Sequence, residues 1–184
     1  MVDKQPGAVF SFVEKAYIRL QAGDVLTQCM EVGNAAPMHE MIQEMVFAGP
    51  QSLGALREIL GEAMGRKTQL YDDLNQVTNQ LTSALQSDGV VLNKQDNNQA
   101  IQELSEIQLL SLMREQGIDN AATQSACLQV LRDSQELFAN LLIKIRLLEQ
   151  IEAYLQDWLL GLTYQSIHQG SGEEQATESK DELL

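Results

Sequence analysis

Few residues in this chain could do chemistry. There are two histidines, His39 and His168, and two cysteines, Cys29 and Cys127. His39 is followed by Glu40 and Glu44, so metal coordination is the first possibility to weigh. A di-metal carboxylate bundle takes glutamates from two helices and a Glu-x-x-His pair from each of two others. The residues three positions before the histidines are Ala36 and Gln165, so the ligand count fails, and His39 alone is a poor metal site. Nucleophilic catalysis needs a serine or cysteine, a base and an orienting group held together. Cys29 or Cys127 with His39 is the one combination to be composed, and no local motif supports it. A hydrolase using Cys29 is therefore the remote reading. Gly61-Glu62-Ala63-Met64-Gly65 lacks the lysine and the strand–turn–helix setting of a phosphate-binding loop. The expectation is a non-enzyme with no catalytic residues, no metal and no cofactor.

Other residues have types suited to association. Lys67 and Glu152 fall at positions of apolar seams otherwise filled by apolar residues. Long charged side chains there either reach the rim or fix register and partner. If their helices pair, the two can meet. Tyr154 and Trp158 lie one turn apart and suit either a core or an interface anchor. Met30, Met38, Met41, Met45 and Met64 crowd the first third. Methionine adapts to irregular surfaces, so this region is either a loosely specified core or a groove.

The elements that must position these residues read as helices. Leucine, glutamine, alanine and glutamate favour helix, and few β-branched runs compete. A helical pattern begins at Ala8, with Val9, Phe10, Val13, Ala16, Tyr17 and Leu20 as its apolar face. Gly23-Asp24 weakens or bends it, and Gly33-Asn34 closes it. Pro37 starts a short helix and Pro50 starts a long one. The long one runs to about Ser87 with the seam Leu53, Leu56, Leu60, Ala63, Lys67, Leu70, Leu74, Val77, Leu81 and Ala84. Gly61 and Gly65 admit a close helix or mark a kink. Ser87-Asp88-Gly89 is a turn. A helix capped by Asp96 and Gln99 then runs to Gln116-Gly117. The last helix, capped by Asp119 or Asn120, reaches about His168. Its seam is Cys127, Leu131, Ser134, Phe138, Leu141, Ile145, Leu148, Glu152, Leu155, Leu159 and Leu162. Leu137 to Leu148 is apolar on most of its circumference and calls for several covering helices.

Bulk properties narrow the classes. The net charge is −14, which repels phosphate and makes direct nucleic-acid or anionic-membrane binding a poor default. No apolar run reaches about 18 residues without a charge, so no membrane insertion is expected. No signal-peptide core follows Met1, and the cysteines show no metal or redox spacing. An intracellular, cytoplasmic setting fits, with the nucleus left open.

The sequence therefore predicts an all-α fold. It is expected to be an elongated helical bundle with long antiparallel coiled-coil-like helices and a disordered acidic tail. The expected blocks are a short-helix region over 8–48, a long-helix region over 50–168 and the tail over 169–184. The expected function is a non-catalytic structural or adaptor subunit of a complex. It would pack against other helical proteins or itself as a homo- or hetero-oligomer. The expected interface is Leu141, Ile145, Leu148, Ile151, Leu155, Trp158 and Leu159, with Leu70, Leu74, Val77 and Leu81. The alternative is a regulatory binding module or chaperone-like protein that holds a peptide in a groove near Met38–Met45.

Overall fold

The structure, a computed structural model, describes residues 11–47, 49–93 and 98–178, the last nine of them as backbone. Among the described residues every regular element is helical: α1 (Phe12–Val32), α2 (Ala36–Val46), a 3-10 turn (Gly49–Ser52), α3 (Leu53–Ser87), α4 (Asn98–Gln102), α5 (Glu106–Glu115) and α6 (Ala121–Glu178).

α1 opens on a capping box. The Ser11 hydroxyl accepts from the Glu14 amide, and the Glu14 carboxylate accepts from the Ser11 amide at 2.7 Å. That satisfies two backbone donors that the first turn leaves open. α1 thus begins at Phe12; Ala8, Val9 and Phe10, where the helical pattern was expected to begin, lie outside the described residues. The expected apolar face divides at Gly23: in the first half Val13, Ala16, Tyr17 and Leu20 are exposed while Ile18 and Ala22 are buried, whereas in the second half the expected Leu26 and Cys29 are buried and Val25 and Met30 half-buried. The two sets of the first half recur at helical spacing, and only the neighbours decide which faces inward. The helix continues unbroken through Gly23. A Cβ there would lie 3.4 Å from Glu62 Oε1 and 3.7 Å from Arg66 Nη2, so the bare backbone makes room for side chains of α3. Gly33, at φ 76°, closes α1 in the left-handed geometry that suits glycine.

Asn34 leads into α2 by accepting from the Ala36 amide at 3.0 Å, with Pro37 in the first turn. Pro50 falls in the 3-10 turn, so α3 begins three residues later than expected. α3 then runs without a break through Gly61 and Gly65, where an added Cβ would meet nothing within 4 Å. No neighbouring element closes on the backbone at those glycines. The seam of α3 starts as expected, at Leu56 and Ala63, but drifts. Beyond Leu74 the buried positions are Thr78, Leu81 and Leu85, with Val77 and Ala84 only partly covered. A helix of 3.6 residues per turn rotates against a strict heptad, and here the core follows the rotation.

The single helix expected from Asp96 to Gln116 is two. Asp96 lies outside the described residues; α4 stops at Gln102, and Ser105 begins α5 with its own capping box to Gln108. Ser-x-x-Gln is a helix-start signal in the sequence, masked by apolar spacing that continues through it. Gly117, at φ 77°, ends the segment as expected. Asn120 caps α6 by accepting from the Ala122 amide at 2.9 Å. The seam of α6 holds closely: Cys127, Leu131, Ser134, Phe138, Ile145, Leu148, Glu152, Leu155 and Leu162 are buried, with Leu141 and Leu159 half-buried. The backbone of α6 continues to Glu178, past the exit expected near His168. Residues 179–184 of the expected tail lie outside the described residues.

Two compact units divide the chain, and their boundaries fall within both long helices. The first takes Met1–Lys67 and Arg146–Leu184. Its core is built from Leu26, Met38, Ile42, Leu56, Ile59, Leu148, Ile151 and Leu155. The second takes Thr68–Ile145, with a core of Leu74, Leu81, Leu85, Leu109, Met113, Leu131 and Phe138.

Candidate functional site

Within the first unit, α3 and α6 bring Lys67 and Glu152 together. Lys67 Nζ donates to Glu152 Oε2 at 2.6 Å, with the two side chains 25% and 11% exposed. The contact that the seam positions permitted is therefore made. Glu152 Oε1 is buried and takes no hydrogen bond from the protein. One carboxylate oxygen is thus held and its twin is not, in a place where removing the cation would be costly. Two residues on, Tyr154 stacks on His39 of α2 with ring centroids 4.1 Å apart. Tyr154 also meets Trp158 edge to face at 6.4 Å and 78°, a geometry that aromatic quadrupoles favour. All three rings are half-buried, so they line the core boundary. His39 is packed as an aromatic plate. Among the described residues no group of three or more His, Cys, Asp or Glu side chains is placed to hold a metal ion.

The thiols sit where nucleophiles do not work. Cys29 is fully buried, and burial pushes its thiol up. Cys127 is fully buried and pushed up to about 11, by burial first and then by the Asp88 carboxylate to which it donates at 3.5 Å. A reactive cysteine needs access and a depressed pKa, and neither thiol has them. The methionines are also partly inside: Met38 is fully buried, while Met41 and Met45 are half-buried. No helix among the described residues is long and apolar enough to cross a membrane.

The second unit carries an ion pair of a different kind. Arg132 grips Glu106 with two hydrogen bonds, Nε to Oε1 at 2.7 Å and Nη2 to Oε2 at 2.9 Å. Both side chains are about half exposed (53% and 41%). The Arg132 guanidinium holds the Glu106 carboxyl below the usual carboxylate value. Polar bridges join the other elements of this unit. Gln116 pairs with both the amide and the carbonyl of Val91, at 2.8 and 2.7 Å. Gln102 donates to the buried Thr78 hydroxyl at 3.0 Å.

Most of the expected interface is placed inside the chain's own packing. Ile145, Leu148, Ile151, Leu155, Leu70, Leu74 and Leu81 are buried; Leu141, Trp158, Leu159 and Val77 are half-buried. The apolar segment Leu137–Leu148 is only partly covered. Phe138, Ile145, Leu147 and Leu148 are buried, whereas Leu137, Leu142 and Ile143 are 50%, 38% and 60% exposed. Two exposed stripes lie outside the expected interface residues. Val13, Tyr17 and Leu20 form one on α1, and Leu160, Tyr164 and Ile167 form another on α6. Steps of four and three place each set on one helix face. Periodicity alone identified the α1 set as apolar but assigned it to the core.

Comparison with family models, with curated proteins and with solved structures finds no match to this chain.

Proposed function

We propose that this chain is a non-catalytic structural or adaptor subunit that works by packing helix against helix, with a second copy or with another helical protein. The observation that carries this is the α1 stripe. Val13, Tyr17 and Leu20 are 74%, 60% and 65% exposed on one face of a capped helix. Burying such a side chain fully contributes about 1.5–3 kcal/mol, and an aligned apolar set rimmed by polar residues marks an interaction face. The heptad-like seams of the two long helices support the same reading, because the chain already builds its interior from this kind of contact. The seam residues first expected to meet a partner serve that interior, and the proposed contact moves to the stripe that remains in water.

Sedimentation of the full chain tests this directly. The wild type is expected to run as a dimer or larger, or to be captured by a helical partner. Tyr17→Glu with Leu20→Glu should abolish that association and leave the helical circular dichroism intact. A wild-type chain that stays monomeric, and whose partner capture is untouched by these changes, would defeat the proposal. Loss of capture on changing Met41 and Met45 instead would favour the groove alternative.

A further inference from the structure

Glu152 carries a cost that its contact with Lys67 does not remove. Oε2 is held at 2.6 Å, yet Oε1 is buried with no hydrogen bond from the protein. Replacing such a pair by apolar residues of similar volume is often neutral or stabilising, so stability is a poor account of it. The neighbours on each seam supply another. Ala63 stands four positions before Lys67 and Leu70 three after it; Leu148 and Leu155 stand in the same relation to Glu152. All four are buried and apolar. Apolar contact is non-directional, so without the pair the two seams would match about as well after a slip of one turn as before it. With the pair, that slip would set Glu152 against Ala63 or Leu70. No substitute cation is at hand. Past Lys67, α3 holds no lysine or arginine, and before it stand only Arg66 and Arg57. Arg66 is turned toward Gly23 of α1, its Nη2 3.7 Å from where a Cβ would stand. Arg57 is nearly three turns away from Lys67.

We infer that the Lys67–Glu152 pair fixes the register of α3 against α6, and does so by penalising the neighbouring registers rather than by strengthening the native one. The carboxylate discriminates more than the ammonium. Its side chain is short and only 11% exposed, whereas the longer lysine can still reach the rim after a slip. A single polar pair in an apolar seam has this effect in coiled coils, at a cost in stability. The consequence reaches the rest of the first unit. A shift of α6 by one turn would carry Tyr154 off the His39 ring of α2, so a pinned register also keeps the aromatic boundary in place. The inference concerns the interior and is independent of what meets the α1 stripe.

Distances between spin labels on the full chain measure the register. Gly61→Cys is combined with Gln150→Cys and, separately, with Gln156→Cys; all three positions are exposed. The native Cys29 and Cys127 are fully buried and therefore slow to label. The two pairs sit at different heights on α6, so travel along the helix axis changes at least one distance. Dilution with unlabelled chain confines the reading to distances within one molecule. The otherwise wild-type chain is expected to give one narrow distance for each pair, and Lys67→Arg, which keeps the cation, should match it. Lys67→Met with Glu152→Leu should stay helical by circular dichroism and add a second distance, displaced by up to about 5 Å, one helical pitch. A single unmoved distance in that apolar variant would overturn the proposal. So would a second distance in the wild-type or Lys67→Arg background, because the pair would then not hold one register. Loss of helical circular dichroism in the apolar variant would also overturn it, since the pair would then be a stabiliser and not a discriminator.

Discussion

Lys67–Glu152 and Arg132–Glu106 are both lysine- or arginine-to-glutamate contacts of good geometry, yet they do different work. The first lies in a helix seam with Glu152 only 11% exposed; the second lies at the surface with both partners about half exposed. Water can replace either member of the surface pair at little cost, so such pairs contribute little to stability. In the seam, water has little access, and the loss of one ion leaves the other stranded. The two pairs separate what an ion pair adds from what its removal costs.

The largest effect should come from breaking the seam pair on one side. Lys67→Ala leaves the Glu152 carboxylate inside with neither oxygen satisfied, and is expected to cost about 3 kcal/mol in urea denaturation. Lys67→Met combined with Glu152→Leu removes both charges and should recover most or all of that loss. If the single change is nearly silent, the seam is wetter than its exposure implies and the contrast between the pairs collapses.

An intermediate effect is expected where the surface pair is anchored. Glu106 is the first residue of α5 and is positioned by the Ser105 capping box. Ser105→Ala should cost about 1 kcal/mol, read as a lowered denaturation midpoint, and should loosen the Glu106–Arg132 contact along with the helix start. The smallest effect belongs to the surface pair itself. Arg132→Ala should leave the midpoint at neutral pH nearly unchanged. Its signature is in acid. Because the folded-state value of Glu106 is lowered, its contribution is present above the ordinary carboxylate range. It is lost as pH falls through the lowered value. Glu106→Gln should remove that small part of the acid limb, and a large change at neutral pH would show that the pair is not the surface contact described here.

The distinction between seam and surface was partly legible in the residues. Lys67 and Glu152 stood out as charges in apolar registers, and their contact follows from pairing those registers. Arg132 and Glu106 gave no such signal, since each looks like an ordinary solvated charge and neither interrupts an apolar register. The capping boxes at Ser11 and Ser105 were readable but hidden beneath an apolar rhythm that ran across them. The first half of the α1 face was misassigned for a more basic reason. Its two sides are both apolar at helical spacing, and its own sequence carries no preference for which one is covered.

By itself the sequence determined that this protein is helical. It set where the glycine exits at Gly33 and Gly117 fall, and which residues of α6 form the seam from Cys127 to Leu162. Those are local choices, made by backbone propensity and by one apolar stripe that is much stronger than its competitors. Tertiary structure alone decided which face of α1 stays in water and how the seam of α3 drifts to Thr78 and Leu85. It also decided that Leu137–Leu148 is only partly covered, and that Leu160 and Tyr164 remain exposed. Burial depends on what a neighbouring element brings, and residues brought together from distant parts of the chain leave no mark in local periodicity.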